Sequence, residues 1–290
     1  MKTKSGLHPS NVHRNGYDLE GLLKVYPSLE DFIVKNTYGN LSVDFSSPKA
    51  VRALNAALLK KHYEIIDWVF PEDNLCPPIP GRVDYIHHLN DLIKDVANEK
   101  EVTILDIGTG ATCIYPLLGA KVYDWNFVAI DIELDSLDYA QDIIDDNGLD
   151  AKIKLRQQFD EQNILTGIIE AGDSFTAAMC NPPFYASAEE ARGANRRKTR
   201  NLGTNAVRNF AGNSNELWYP GGEKAFLHNY LYQSSLHKEV CVWFTSLVSK
   251  KENVESLKKS ATKLGATSFK IIPMQQGNKV TRIVAWSFQK

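Results

Sequence analysis

Cysteine is scarce and poorly placed for metal or disulfide chemistry. The four residues, Cys76, Cys113, Cys180 and Cys241, are far apart and form no C-x-x-C or Cys/His spacing. That disfavours a zinc module and a disulfide framework, and it fits a reducing cytoplasm. No apolar stretch approaches membrane-spanning length. The basic start Met1-Lys2-Thr3-Lys4 has no apolar segment behind it, so no signal peptide is expected. Neither sign of charge is in excess: 33 Lys and Arg against 35 Asp and Glu leave a net −2. A histone-like polycation is disfavoured, but a local basic patch is not. Internal repeats are also absent. What is present is ordinary for a soluble globular protein, 43% apolar and 23% charged residues in 290. That length suits one large domain with an appendage.

Residues 1 to about 17 carry Lys2, Lys4, His8, His13 and Arg14 before the first acid, Asp18. They read as an extended arm, either a disordered terminus or a contact for RNA. Leu19, Leu22 and Leu23 then predict a short helix that Pro27 ends. Ser28 has the character of an N-cap for a second helix, Leu29 to Val34. Asp44 to Leu59 is a stronger helix, with Ser47 as N-cap and Pro48 in its first turn. Residues 1–75 are therefore expected to be a small, mostly helical, RNA-binding appendage, and 76–290 the main domain. The proline-rich run Cys76-Pro77-Pro78-Ile79-Pro80-Gly81-Arg82-Val83-Asp84-Tyr85 predicts an ordered loop, with an amphipathic helix only from Ile86 to Val96. Arg82 is the one base in that loop, a surface arginine or a bidentate holder of a carboxylate.

From Val102 apolar strands alternate with helical patterns. Strands are expected at Val102–Ile107, Asn126–Glu133, Ile153–Leu155, Phe175–Met179 and Val240–Leu247. A helix carries Leu137, Ala140, Ile143 and Ile144, and another runs from about Glu252 to Leu264. Thr267–Ile272 and Arg282–Phe288 form a candidate closing antiparallel pair. This predicts an α/β fold, a Rossmann-like, mostly parallel sheet with helices on both faces.

Two strand ends carry the chemistry. Asp106-Ile107-Gly108-Thr109-Gly110 turns out of the first strand, where glycine lets backbone approach a ligand closely. The dinucleotide fingerprint is not met, since Cys113 stands three residues past Gly110. Asp131, at the end of the next strand, is where α/β nucleotide sites place a ribose-binding acid; it is equally a helix cap. Cys180-Asn181-Pro182-Pro183-Phe184 ends the Phe175 strand abruptly, because neither proline donates to a ladder. Asn181 and the proline carbonyls can accept from an exocyclic NH₂, and Phe184 offers a flat face to the ring bearing it. Alone, the motif is equally a strand-ending turn.

Together these motifs resemble class I S-adenosylmethionine-dependent methyltransferases acting on planar amines. Longer strings narrow the resemblance: Gly6-Leu7-His8-Pro9, Ser42-Val43-Asp44-Phe45, the run from Leu75 to Leu89, Ile104 to Ala111, Cys113 to Leu117, Cys180 to Phe184, Asn201-Leu202-Gly203, Glu216-Leu217-Trp218, Gly221-Gly222-Glu223 and Trp243 to Ser249. They are similar to the bacterial 23S ribosomal RNA adenine-N6 methyltransferase family of the RlmF type, over nearly the whole chain. A eukaryotic small-nuclear-RNA adenine methyltransferase is a more distant relative. The resemblance implies S-adenosylmethionine as cofactor, released as S-adenosylhomocysteine, and no metal. It aligns Arg82, Gly108, Thr112, Asp131 and, less firmly, Asn163 with cofactor-contacting positions, beside Asp106, Gly110 and Asn181. Asn181, Pro182, Pro183 and Phe184 align with the catalytic motif. Where the family's acid can be Glu, this chain has Asp131.

The partners implied are 23S rRNA or a large-subunit assembly intermediate, met in the cytoplasm by a monomer. About 60 residues separate the fourth and fifth strands, which is long for a crossover. The insertion, about 185–225, holds Arg192, Arg196, Arg197, Lys198, Arg200 and Arg208, a footprint for phosphates that is expected to act as a lid. With Lys2, Lys4 and Arg14 these are the candidate RNA contacts. Rival readings are an rRNA guanine-N2 methyltransferase, which shares Asn-Pro-Pro-Phe, a protein-glutamine methyltransferase, and a non-catalytic RNA-binding protein on the same fold. None of the seven histidines is needed for catalysis.

Overall fold

The structure, a computed structural model, describes residues 6–96, 101–191, 193, 217–276 and 279–289. Asp18 caps α1 (Leu19–Val25) by accepting from the Gly21 amide. A 3₁₀ helix (Pro27–Phe32) leads into a hairpin, β1 (Ile33–Lys35) and β2 (Leu41–Val43). Its turn is closed by Asn36, whose Oδ1 accepts from the amides of Tyr38 and Asn40. Ser47 caps α2 (Pro48–Tyr63), and α3 (Ile79–Ile93) follows.

The strands and helices of the main sheet alternate as β3 (Thr103–Ile107), α4 (Ile114–Tyr123), β4 (Asn126–Asp131), α5 (Leu134–Asp146), β5 (Ile153–Gln157) and β6 (Phe175–Cys180). Then come α6 (Gly222–Leu236), β7 (Cys241–Val248), α7 (Lys251–Lys263), β8 (Ser268–Gln276) and β9 (Lys279–Ser287). The order across the sheet is β5-β4-β3-β6-β7-β9-β8, with β3 to β7 parallel and the last two antiparallel. The chain winds outward from β3 in one direction and then from β6 in the other, so the β3/β6 boundary is the topological switch point where such sheets bind ligands. Ile107 pairs with both Ile130 and Cys180. The residues that follow, Gly108, Asp131 and Asn181, therefore leave the sheet side by side.

Period-two alternation divides the core. Ile104, Ala129, Ile153 and Met179 pack one way, against Leu54, Ile86, Leu117 and Ile143 of α2 to α5. Leu105, Ile107, Val128 and Ala178 pack the other way, under Leu227, Leu231, Leu257 and Ala261 of α6 and α7. Leu22, Leu29, Leu58 and Leu59 of the N-terminal segment belong to the first of these cores.

Three expectations are corrected. The predicted loop Cys76–Tyr85 is helical from Ile79, because Pro80 falls in the first turn, where its missing N–H costs nothing; Arg82 thus stands on a helix. The predicted helix Leu29–Val34 is the 3₁₀ turn with Ser28 inside it, followed by a strand that suits β-branched Ile33 and Val34. The arm is folded down from residue 6: His8, Asn11 and His13 are buried. Asn11 Nδ2 donates to the Pro80 carbonyl (2.9 Å) and Asp84 (3.0 Å), and Tyr63 Oη meets His13 Nε2 at 2.8 Å. Polar groups that satisfy one another carry no hydropathy signal, so the sequence concealed this packing.

Candidate active site

The first wall of the site is backbone. After β3, Gly108 has φ +75° and Gly110 φ +63°. A Cβ at Gly108 would meet nothing within 4 Å, so conformation rather than space demands glycine there. The amides of Gly108 and Thr109 both donate to the Ile130 carbonyl, at 2.9 and 3.0 Å. Asp131 completes the turn, its Oδ2 accepting from Gly110 N (2.8 Å) and its Oδ1 from Glu133 N (3.1 Å). Burial pushes the Asp131 carboxyl pKa up, and those two amides hold it down. Asp106, 1% exposed, finds among the described residues no donor for either carboxylate oxygen at hydrogen-bonding geometry. Burial pushes its pKa up to about 7; the nearby Thr109 hydroxyl and Arg82 pull the other way, and Asp131 adds to the push.

The N-terminal segment contributes to the same wall. Asn55 of α2 donates to Cys76 Sγ and the Pro77 carbonyl, which carries Leu75 and Pro77 to the rim. Trp68 Nε1 donates to the Thr112 carbonyl at 2.9 Å. Arg82 donates from Nη1 to Tyr115 Oη at 2.6 Å, and its buried Nε has no partner among the described residues.

The second wall is made by segments distant in sequence. The loop after β5 brings Gln158 and Glu161 to Ile164. After β6, the amides of Phe184 and Tyr185 donate to the Leu217 carbonyl, Tyr219 N donates to the Tyr185 carbonyl, and Tyr185 pairs with Trp218 as a parallel bridge. This lays Trp218, Tyr219 and Pro220 beside Asn181. The Asn181 side-chain amide makes no protein hydrogen bond among the described residues. Glu223, 1% exposed at the start of α6, anchors this wall: its carboxyl accepts from the Ser249 amide and hydroxyl, the Lys250 amide and Asn253 Nδ2.

Between the walls lies a cavity of about 690 Å³. Of the residues read from sequence, Arg82, Gly108, Gly110, Thr112, Asp131, Asn163, Asn181 and Pro183 line it together. Asp106, Pro182 and Phe184 do not; Asp106 lies behind the wall and Pro182 is buried. Arg14 is exposed, bonds to the Pro9 carbonyl, and lies away from the cavity. Lys2, Lys4, Arg192, Arg196, Arg197, Lys198, Arg200 and Arg208 fall outside the described residues. Sequence reasoning missed Tyr115, Gln158, Gln162, Phe226 and Asn229, all in the lining. Gln158 was findable, as a polar residue at the end of the third strand; Asn229 and Phe226 sit on a helix with no motif of its own. No histidine lines the cavity. Among the described residues no group of His, Cys, Asp and Glu is arranged for a metal ion, and no helix is long and apolar enough to cross a membrane.

The sequence matches the RNA methyltransferase family over residues 1–290. It is 51% identical over 298 residues to ribosomal RNA large subunit methyltransferase F of Shewanella oneidensis, covering 98% of this chain and 82% of that one. The same protein of Shewanella woodyi is 45% identical over 327 residues, with 98% and 86% covered. Among solved structures, the human METTL16 catalytic domain in complex with the MAT2A 3′UTR hairpin 1 is 30% identical, with a TM-score of 0.86 and coverage of 98% and 96%. The N-terminal domain of human METTL16 in complex with SAH is 27% identical, with a TM-score of 0.81 over 98% and 100%.

Proposed function

The chain belongs to the RNA methyltransferase family, and from that premise we propose that it methylates N6 of one adenine in large-subunit (23S) ribosomal RNA, using S-adenosylmethionine. The observation that carries this reading is the convergence of Gly108, Asp131 and Asn181, from three neighbouring strand ends, on one cavity, with the Asn181 side-chain amide unpartnered among the described residues. The cavity volume lies in the range of cofactor sites. The unpartnered Arg82 Nε and the open glycine backbone fit a group with a carboxylate at one end and a nucleoside at the other.

Each residue then has a task. Arg82 holds the cofactor carboxylate. Gly108, Gly110 and Thr112 line its methionine half. Asp131 keeps lone pairs for ribose hydroxyls beyond those given to the two amides, and Asn163 borders the nucleoside. When bound, S-adenosylmethionine supplies an electrophilic methyl group on a sulfonium that leaves as a neutral sulfide. Asn181 Oδ1 and the Pro182 carbonyl accept from the two N6 hydrogens, which draws the amine lone pair out of the ring and aims it across the cavity. Phe184 and Tyr185 stack on the flipped base. The methylated nitrogen sheds its extra proton readily, so no histidine is needed. Lys2, Lys4, Arg14 and the Arg192–Arg200 run are assigned to phosphates, residues 1–75 to the RNA-facing appendage, and the site of action to the cytoplasm, where the protein works as a monomer on rRNA or on an assembly intermediate.

The guanine-N2 reading draws only on the shared Asn-Pro-Pro-Phe string. Radiolabelled cofactor, 23S rRNA lacking the modification and nucleoside analysis decide between them. N6-methyladenosine that vanishes with Asn181→Ala supports the proposal. N2-methylguanosine overturns the substrate assignment, and absence of product on both naked RNA and precursor particles overturns the reaction.

A further inference from the structure

One face of α6 carries an amide cluster that the reaction above does not use. Gln233 is buried, and its Oε1 accepts from three successive backbone amides, Ile164 (2.9 Å), Leu165 (2.8 Å) and Thr166 (3.0 Å). Its Nε2 donates to Asn229 Oδ1 (3.1 Å) and, at 3.4 Å, to the Gln162 carbonyl. Asn229, one turn earlier, donates from Nδ2 to the same carbonyl (2.8 Å) and to Tyr219 Oη (2.9 Å). Gln233 does not line the cavity, whereas Glu161, Gln162, Asn163 and Ile164 all do.

Three converging N–H groups form a nest that must hold an acceptor, since buried amides left without one are costly. Here the acceptor comes from an element more than 65 residues away in the chain. The shape of the loop between β5 and β6 is therefore set by a side chain of α6. The loop's other anchors differ in kind: Asn163 leans on Asp160 within it, Gln158 Nε2 reaches the Thr166 carbonyl, Asn229 Nδ2 holds the Gln162 carbonyl, and the Ile164 and Leu165 side chains are buried in the second core; none of these satisfies the three amides.

We propose that Gln233 is a positioning residue for cofactor binding, fixing the loop 161–164 that walls the nucleoside end of the cavity by filling the nest of the Ile164, Leu165 and Thr166 amides. The inference rests on the proposed function and goes beyond it, because Gln233 touches neither cofactor nor RNA. Filling the nest acts on the cofactor's wall and leaves the Asn181 motif in place. A role confined to stability would instead lower Tm and the active fraction, cutting apparent kcat with the cofactor KM unchanged.

The test compares Gln233→Leu, which removes the acceptor, with Gln233→Glu, which keeps acceptor oxygens and loses the donors. S-adenosylhomocysteine binding by calorimetry is read beside cofactor KM, RNA KM, kcat and Tm. Gln233→Leu is expected to raise the ligand Kd and the cofactor KM about tenfold, with RNA KM and kcat within about twofold of wild type. Gln233→Glu is expected to recover most of the loss. Should Gln233→Leu not fold, Gln233→Asn, whose amide is one methylene short of the nest, takes its place with the same expectation. A folded variant with unchanged cofactor KM, or one in which kcat and both KM values worsen alike, overturns the inference. Wild-type protein that fails to bind S-adenosylhomocysteine overturns the proposed function itself, which separates the two failures.

Discussion

The two walls of the cavity mix their bonds in different proportions. At the strand ends the first is backbone turn: amides of Gly108 and Thr109 on the Ile130 carbonyl, and Asp131 on Gly110, between strands that already pair, with Asn55, Trp68 and Arg82 bracing it. The second, beside the backbone bonds of Tyr185 with Leu217 and Tyr219, is held by side chains reaching across the fold, with Glu223 gripping the start of α7, Asn229 joining Tyr219 to Gln162, and Gln233 filling its nest. A wall made of backbone has its geometry fixed by φ and ψ. One held by side chains is only as firm as a handful of rotamers.

That contrast can be broken at several points. The largest effect is expected at the seam, where Asn181→Ala should lower single-turnover methylation by about 10²–10³-fold, since an acceptor for the developing charge is lost, and leave Tm nearly unchanged. Next is the backbone wall: Asp131→Ala strands two amides and should weaken S-adenosylhomocysteine binding by about 10²-fold, measured by calorimetry. On the side-chain wall, Glu223→Gln replaces one acceptor oxygen by an NH₂ that faces other donors, and should cost about 2–3 kcal/mol in urea unfolding. Its effect on cofactor Kd should be much the smaller, which would sharpen the division; equal losses on both measures would erase it.

The pH response separates regions as well. Asp106 has its folded pKa raised to about 7, so between the usual carboxylate value and 7 the native state binds the extra proton. Its contribution to stability is lost as pH rises through that window. His13 and His87, buried with pKa values lowered to about 4, hold fewer protons folded than unfolded. Their contribution is present at neutral pH and lost as pH falls from the usual histidine value toward 4. Asp106→Asn should flatten the first slope and His13→Gln the second, in denaturant midpoints taken across pH. The smallest effect is expected from Trp68→Phe, which deletes one bond to the Thr112 carbonyl and should cost about 1 kcal/mol, with a slight rise in cofactor Kd.

The same contrast explains what the sequence made legible. The parallel sheet, the closing antiparallel pair, the glycine turn, Asp131 and Asn181 could be read because short apolar runs and strand-end residues are local signals. Arg82 was located as a residue but given the wrong setting, since Pro80 begins α3 rather than preventing it. The start of the hairpin, Ile33 and Val34, was read as the end of a helix, and the rest went unread, because its strands are three residues each and its turn rests on Asn36. Gln233 and Asn229 were invisible: an amide on a helix face announces neither the nest it fills nor the loop it holds.

The bridge between Tyr185 and Trp218 ties off the long insertion at its base. The two residues stand 33 positions apart in the sequence, and the entropy cost of bringing such points together grows only with the logarithm of their separation, about 0.6 kcal/mol for each doubling. A change in that separation therefore adds little to the cost of holding Trp218 beside Asn181.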